Sequence, residues 1–395
     1  MNVLQQTDRT VLAWRNALLA VFALCGVAMG GWMARMPAVK QALAIDTAQT
    51  GLLILGLAVG SIVGLLLAGP LLSRFPSRTV IAASIAGIGV GLLVAGAGTT
   101  LSPSFWVTYG GFAILGASLG ACDVAMNVSG ALNERALGKT FLPVLHAFFS
   151  FGALLGAGVG AVTEFAALPL LAHSVVLAGA VFLVGALYVR HLQSEPVGSS
   201  RAPESRVSLR EIWGDPRTYF IGLIVLGMGF AEGSANDWLS LAMVDGHGAD
   251  NTTGAVVFGV FVGVMTVGRL VGGRVVDRFG RVLTLQVSSG LAAVGLALFI
   301  VVPDMVTALI GVVLWGLGSA LGFPLGMSAA ADDPRTASAR VGAVALIGYC
   351  AFLIGPPTLG LLGEQLGILP ALTVVLALIV VAGLASPGAR QPLGD

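Results

Sequence analysis

Two carboxylates, Glu232 and Asp237, lie five positions apart in the segment GFAEGSANDW, which is otherwise as apolar as a membrane-buried helix. An ionised carboxylate in hydrocarbon costs about 3 kcal/mol on insertion scales, so such residues mark either a site for protons or solutes, or a hydrogen bond between helices. Five residues of helix correspond to about 7.5 Å of rise and about 140° of rotation. The two side chains therefore do not share a face, which argues against a paired-carboxylate acid–base device.

Glu232 is the first candidate for proton coupling and for contact with a solute. It lies near the middle of its apolar segment, where a carboxylate is expected to face the interior of a helix bundle and to exchange a proton at physiological pH. A structural hydrogen bond between helices is the alternative. Arg269, in the following apolar segment, is predicted to pair with a carboxylate or to bind an anionic solute.

Asp123, Asn127 and His146 form a second candidate group. Asp123 and Asn127 are one helical turn apart on the same face, and His146 enters the next segment at a comparable depth. They predict a buried acid–imidazole pair that carries or relays a proton, with a purely structural histidine as the alternative. Asn127 suits a polyhydroxylated solute, or else a hydrogen bond between helices.

Three tryptophans have flat apolar faces against which a sugar ring would pack. Of these, Trp238 is predicted to contact the solute. Anchoring at the membrane interface is the alternative for each of them. The other two are Trp32 and Trp315.

The composition is that of a chain made for a bilayer. Of 395 residues, 56% are hydrophobic and 10% charged, and the mean hydropathy is +0.95, whereas soluble domains carry about 25% charged residues. A net charge of +1 leaves no basic surface for nucleic acid. No cofactor or metal is expected, because Cys25, Cys122 and Cys350 lack zinc or redox spacing and are predicted to be small buried hydrophobes.

Twelve apolar segments are long enough to cross a bilayer, which takes about 20 residues each. A polar segment over 191–216, rich in Ser, Pro and paired charges, predicts a linker between the sixth and the seventh. We therefore expect an all-α membrane protein with one six-helix bundle over 1–190 and another over 217–395. The predicted spans are 14–36, 47–72, 79–99, 104–131, 141–164, 169–190, 217–243, 251–276, 282–302, 305–330, 340–363 and 367–387.

The placement of basic residues predicts the orientation of the chain. With the N-terminus inside, only Arg35 and Lys40 fall on the outer side, against eighteen residues on the inner side. This bias predicts a multi-pass protein of the plasma (inner) membrane with both termini cytoplasmic. The inner residues are Arg9, Arg15, Arg74, Arg78, Arg135, Lys139, Arg190, Arg201, Arg206, Arg210, Arg217, Arg269, Arg274, Arg278, Arg281, Arg335, Arg340 and Arg390.

The two halves repeat each other. The segment TGLLILGLAVGSIVGLLLAGPLLSRF recurs as TGAVVFGVFVGVMTVGRLVGGRVVDRF, with three glycines matched at an offset of 203. Such duplicated six-helix halves predict pseudo-symmetry about an axis along the membrane normal, with a solute site between the halves near mid-bilayer. After one inserted residue the offset becomes 204, and the matching pairs are Gly64/Gly268, Gly69/Gly273, Arg74/Arg278 and Phe75/Phe279.

The loop GGRVVDRFGR over 272–281 resembles the signature loop between spans eight and nine of the major facilitator superfamily. Its N-terminal copy, GPLLSRFPSR, has Ser73 where an aspartate is usual. DVAMNVSGALNE and LHAFFSFGALLGAG resemble the fucose–galactose–hexose symporter branch, while GWMARMPAVKQAL and AEGSANDW resemble the YbjJ-like inner-membrane permeases. The residues that match the signature are Gly273, Asp277, Arg278, Gly280 and Arg281.

The resemblance implies a latch at the end of span eight. The carboxylate of Asp277 is expected to accept hydrogen bonds from an adjacent helix N-terminus and to pair with a loop arginine. In the superfamily, the counterparts of Asp277, Arg278 and Arg281 hold the outward-open state, so these residues are expected to act in gating. A charged turn that obeys the positive-inside rule is the alternative for Arg278. Because Ser73 cannot pair ionically, the N-terminal copy of the latch is expected to be weaker.

Arg35 and Asp237 are candidates for a gate at the outer mouth. They lie at equivalent positions of spans one and seven, at an offset of 202. Opposite charges at equivalent depths predict a pair between the two halves. Separate snorkelling of each side chain to the interface is the alternative.

The expected function is that of a secondary active transporter working by alternating access, with proton-coupled uptake of a small polar solute such as a sugar or related metabolite. Its expected partners are that solute, protons and the lipid bilayer, and a monomer is expected. Proton-driven efflux of a metabolite or drug is the alternative, although Ala157 occupies the proline position of the drug-antiporter pattern. A non-transporting membrane sensor or scaffold is the alternative of another class. No enzyme is expected, since the sequence lacks a nucleophile elbow, a zinc-ligand helix and a nucleotide-binding loop.

Overall fold

The computed structural model describes residues 3–138, 141–193, 209–333 and 335–391. Across these ranges the backbone forms fifteen α-helices and no strand. The helices are α1 (Val3–Met33), α2 (Met36–Leu43), α3 (Thr47–Arg74), α4 (Ser77–Thr100), α5 (Phe105–Leu137), α6 (Leu142–Phe165), α7 (Leu170–Tyr188), α8 (Leu209–Gly214), α9 (Pro216–Leu241), α10 (Asn251–Phe279), α11 (Arg281–Val301), α12 (Met305–Ala330), α13 (Ala337–Leu366), α14 (Ile368–Ala371) and α15 (Thr373–Ala385).

Twelve helical segments of the described chain are long and apolar enough to cross a membrane, which confirms the predicted all-α membrane fold. The seventh span, Pro216–Gly246, is longer than predicted because a π-helical turn over Ala242–Gly246 continues α9. Most of the predicted linker, 194–208, lies outside the described residues, as do the basic residues Lys139, Arg201 and Arg206. The linker prediction therefore stays a prediction.

The chain divides into two compact units. Unit 1 comprises Met1–Ile45 and Leu52–Ala202, and unit 2 comprises Asp46–Gly51 and Pro203–Asp395. Unit 1 holds spans one to six apart from the first turn of α3, which belongs to unit 2 together with spans seven to twelve.

Glycines bring helices of unit 1 into backbone contact. A Cβ atom on Gly152 of α6 would overlap the carbonyl oxygen of Ala23 in α1. A Cβ atom on Gly30 of α1 would overlap the carbonyl oxygen of Ala153 in α6. Association in lipid depends on close packing, because hydrocarbon supplies no hydrophobic drive between helices. The glycines of the apolar runs thus hold α1 against α6.

Aspartates cap three helices of unit 2. Asp215, Asp250 and Asp304 accept hydrogen bonds from the backbone N–H groups of Arg217 (2.9 Å), Thr253 (2.6 Å) and Thr307 (2.9 Å), respectively. These bonds satisfy N–H groups that have no partner within the helix. They define where α9, α10 and α12 begin.

Candidate functional site

Glu232 of α9 and Arg269 of α10 form an ion pair inside the membrane-spanning part of unit 2. Nη2 of Arg269 lies 2.7 Å from both carboxylate oxygens of Glu232. Arg269 also donates through Nε to the carbonyl oxygen of Ala320, at 3.4 Å. The side chains are 18% (Glu232) and 28% (Arg269) exposed, so the pair remains accessible. At 1.5 Å per residue, Glu232 lies about 24 Å along α9 from Pro216, near the middle of the span.

This pair changes the interpretation of Glu232. The sequence predicts that Glu232 exchanges a proton and that Arg269 meets a carboxylate or an anionic solute, and the structure shows that the guanidinium of Arg269 is the counter-charge of Glu232. Membrane charges commonly pair with one another in this way, because the pair as a whole is neutral. The two residues that the sequence proposed separately are therefore one site.

Asp123, Asn127 and His146 lie together in unit 1, but not as the predicted buried acid–imidazole pair. Asn127 lies between the other two: its Nδ2 donates to Oδ1 of Asp123 (3.1 Å), and its Oδ1 is 3.1 Å from Nε2 of His146. Since an amide oxygen only accepts, Nε2 of His146 carries the hydrogen in this arrangement. Asp123 and His146 are exposed and Asn127 is half-buried, so all three can reach a solute.

Glu134 binds the start of α6, the helix that carries His146, and it is not among the residues predicted from the sequence. Its carboxylate accepts hydrogen bonds from the backbone N–H groups of Phe141 (2.5 Å) and Leu142 (2.8 Å), at the start of α6. A carboxylate at this end also interacts favourably with the helix dipole. His146 lies one turn further along α6, where the edge of its ring contacts Phe22 of α1. The signal was present in the sequence as an acidic residue shortly before an apolar run.

Arg35 is buried in unit 1 and is 4% exposed. Its Nε lies 2.5 Å from a carboxylate oxygen of Glu164, and its other nitrogens donate to Thr163 Oγ1 and to the carbonyl oxygen of Leu168, each at 3.0 Å. Burial lowers the pKa of the Arg35 guanidinium from its ordinary value, and the Glu164 carboxylate opposes that shift. Within unit 1 the guanidinium is thus bound to Glu164, and the gate between Arg35 and Asp237 stays a prediction.

His173 extends the network around Arg35. Its Nδ1 lies 2.8 Å from Thr163 Oγ1 and its Nε2 lies 3.1 Å from the carbonyl oxygen of Gly31. A carbonyl only accepts, so Nε2 donates to it and the hydroxyl of Thr163 can donate to Nδ1. The fully buried imidazole thus connects α7 to α1 and α6.

Trp238 does not form the solute surface that was expected of it, whereas the gating role of Asp237 stays a prediction. Asp237 is half-buried, and the described residues supply no ion-pair partner for it. Trp238 is completely buried, so its ring has no face open to a solute, and it is corrected to a core residue. Trp32 and Trp315 are buried too, and Trp315 donates through Nε1 to the carbonyl oxygen of Ala231 at 3.1 Å.

The signature loop uses a partner outside its own motif. Both terminal nitrogens of Arg281 bind the carboxylate of Asp332, at 2.8 and 2.9 Å, and Arg217 reaches the same carboxylate at 2.7 Å. Asp277 is exposed and has no ion-pair partner among the described residues. The guanidinium of Arg278 lies over the ring of Phe279, with 5.5 Å from Cζ to the centroid. The expected pairing of Asp277 with a loop arginine is therefore corrected to a pairing of Arg281 with Asp332.

The cysteines follow the prediction in two of three cases. Cys25 and Cys122 are buried with their sulfurs 3.7 Å apart, and both are free thiols. Cys350 is exposed, which corrects the expectation of burial. Among the residues that the structure describes, no group of three or more His, Cys, Asp or Glu side chains could hold a metal ion.

The sequence matches the profile of the Major Facilitator Superfamily over residues 17–356. It is 29% identical over 366 residues to an uncharacterised MFS-type transporter of Yersinia pestis, covering 91% of each chain. It is also 29% identical over 374 residues to the membrane protein MosC of Rhizobium meliloti, covering 94% of this chain and 89% of that protein.

Solved structures with the same fold include a mutant of the nucleoside transporter NupG, with a TM-score of 0.78, 15% identity and coverage of 97% of this chain and 100% of that one. A mutant of the fucose:proton symporter FucP of E. coli gives a TM-score of 0.62 and 17% identity, covering 96% and 98% of the two chains. At these identities the likeness establishes the fold alone. The superfamily resemblance inferred from the signature loop is confirmed.

Proposed function

The chain belongs to the Major Facilitator Superfamily, and we propose that it is a secondary active transporter that takes up a small polar solute, such as a sugar or related metabolite, together with protons. The family is one of multi-pass membrane transporters and not of enzymes. In such duplicated folds, alternating access is a rocking movement of the repeats about a site near mid-membrane.

The observation that carries the proposal is the ion pair of Glu232 with Arg269. When Glu232 takes up a proton, it loses the charge that holds Arg269, and the guanidinium can donate hydrogen bonds to the oxygens of a solute. Conversely, a solute on Arg269 leaves Glu232 without its counter-charge and favours its protonated form. Solute and proton therefore promote each other's binding, and this coupling is reciprocal. That is the thermodynamic requirement for symport.

Asp123, Asn127 and His146 provide the second set of contacts in this proposal. Together they present a carboxylate, an amide and an imidazole, which donate to and accept from hydroxyl groups. NupG and FucP, which share the fold, are named for transport of nucleosides and of fucose. Both of those solutes carry a hydroxylated ring, and a solute of that chemistry fits this set of side chains.

The proposal is tested by a thermal-shift screen of the purified chain against sugars, polyols, nucleosides, amino acids and organic acids at two pH values. We expect a hydroxylated solute to raise the Tm, and to do so more strongly at the lower pH. The solute identified is then offered to proteoliposomes. Binding without solute flux would indicate a sensor or scaffold, and a Tm shift that is equal at both pH values would contradict proton coupling.

We also propose that the protein lies in the plasma (inner) membrane as a monomer with both termini in the cytoplasm. The observation behind this orientation is the excess of basic residues at one side of the predicted spans. Labelling of a single introduced cysteine at either terminus of a cysteine-free variant checks it in intact cells. A label that a membrane-impermeant reagent attaches at either end would contradict the orientation.

A further inference from the structure

Each unit carries an apolar groove on its flank, and the two grooves lie at equivalent places in the internal repeat. One groove lies between α3, α4 and α5 and has a volume of about 390 Å³; the other lies between α10, α11 and α12 and has a volume of about 370 Å³. The lining residues shared by the two are Gly64/Gly268, Phe75/Phe279 and Ser84/Ser288.

The length of each groove along its helix matches the hydrocarbon thickness of one leaflet of a bilayer. In unit 2 the groove follows α10 from Gly268 to Phe279, and in unit 1 it follows α3 from Gly64 to Phe75. Eleven residues of helix extend over about 16 Å, and one leaflet contributes about 15 Å of hydrocarbon, which is half of the membrane core. An acyl chain that starts at the phenylalanine would therefore end at the glycine.

The walls and floor of the grooves suit hydrocarbon. In unit 2 the walls include Phe279, Leu283 and Val287, which are about half exposed and present only carbon. Thr284 is buried in the floor, and its hydroxyl is occupied by the carbonyl oxygen of Gly280 at 2.7 Å. Within a bilayer no water is available to fill such a cleft, so its occupant is apolar.

The mouths of the grooves carry arginines. Arg74 directly precedes Phe75 and is exposed, and it forms no ion pair with any residue that the structure describes. Arg78, the second residue of α4, is half-buried, and it too forms no ion pair with a residue of the described chain. At the other groove, the guanidinium of Arg278 lies over the ring of Phe279. By contrast, Arg217 and Arg281 are engaged by Asp332.

We propose that each groove binds one acyl chain of a phospholipid from the leaflet at the end where α3 and α10 finish, with the lipid phosphate bound by the arginines at the mouth. Guanidinium groups bind phosphate through paired, charge-assisted hydrogen bonds. The groove of unit 1 prefers an anionic headgroup, because Arg74 and Arg78 stand there beside Ser73. The groove of unit 2 prefers it less, because the exposed carboxylate of Asp277 adjoins Arg278.

Native mass spectrometry of the full chain with added phosphatidylglycerol tests the grooves by filling them. We expect up to two tightly held lipids on the wild type, one on Ala83→Trp, one on Val287→Trp and none on the double variant. All of these side chains lie on exposed faces, so the substitutions need not disturb the core. Val294→Trp is the matched control, because Val294 is exposed on α11 beyond the end of the groove, and it should retain both lipids. Unchanged lipid binding by the double variant would overturn the proposal.

The headgroup preference is tested separately, without changing the shape of the groove. In Arg74→Gln and Arg78→Gln we expect the affinity for phosphatidylglycerol to fall about fivefold for each arginine removed. Phosphatidylcholine, whose headgroup has no net charge, should lose less. Equal losses for the two lipids, or none for phosphatidylglycerol, would refute the assigned role of the arginines.

Discussion

At the scale of single residues, several buried or half-buried charges of the described chain are compensated by partners far away in the sequence. Arg35 binds Glu164, Arg269 binds Glu232, and Asp332 binds both Arg217 and Arg281. In a low-dielectric medium an ion pair avoids the large desolvation penalty of a lone charge, provided that both partners are present. The consequence of removing one partner therefore depends on what the other is left with.

Asp332→Asn provides a test of this principle. The substitution leaves two arginines, both largely buried, without their counter-charge, and we expect a loss of about 3 kcal/mol in the free energy of unfolding. Thermal unfolding in detergent, followed by circular dichroism, measures it. The matched control is Asp333→Asn, because Asp333 pairs at 3.5 Å with Arg335, whose side chain is 87% exposed. Equal Tm values for the two variants would contradict the assigned role of Asp332.

Sequence reasoning identified the charged residues but not these partners. Arg269 was expected to meet a carboxylate, yet nothing in the spacing between 232 and 269 selects Glu232, because the contact depends on how α9 packs against α10. Glu164 and Asp332 were missed for the same reason. Trp238 was misassigned because a tryptophan beside an aspartate has the same local sequence whether its ring faces a cavity or the core.

At the scale of helices, close packing of α1 against α6 at glycines stabilises unit 1. Gly152→Ala would place a methyl group on the carbonyl oxygen of Ala23, and we expect a destabilisation of about 1–3 kcal/mol from overpacking. Gly158→Ala on the same helix is the control, since a Cβ atom there would meet nothing within 4 Å. The Tm in detergent should fall for the first variant and not for the second. A fall of the same size in both would indicate a general effect of alanine in α6.

Helix caps give the ends of α10 and α12 a dependence on pH. Backbone N–H groups of Thr253 and Thr307 hold the pKa values of Asp250 and Asp304 below their ordinary range. Because these values are depressed in the folded chain, the caps stabilise it above the unfolded pKa, and the contribution is lost as the pH falls through the folded value. We expect the amides of these first turns to lose hydrogen-exchange protection between about pH 5 and about pH 2. Asp250→Asn, which can cap without a charge, should remove that dependence in α10, and an unchanged pH profile would contradict it.

At the scale of the whole molecule, the sequence predicted the architecture well. Twelve spans follow from local hydropathy, because an apolar run of about 20 residues has few alternatives to a membrane-spanning helix. The internal repeat also pointed to equivalent structures, and the two flanking grooves are an example at Gly64 and Gly268. The signature loop was recognised correctly, whereas its ionic contact was not, since Arg281 pairs with Asp332 beyond α12.

Coupling of the solute to protons through Glu232 requires that solute movement carry protons across the membrane, so proton flux tests this coupling. Proteoliposomes that contain a pH-sensitive dye are given the solute identified by thermal shift, with no imposed pH gradient. We expect the solute to acidify the interior with the wild type and with Glu211→Gln, a control on the exposed surface of α8. We expect no acidification with Glu232→Gln, although that variant should still exchange the solute across the membrane. Solute-driven acidification that persists in Glu232→Gln, or solute uptake by the wild type without acidification, would show that Glu232 does not couple solute to proton.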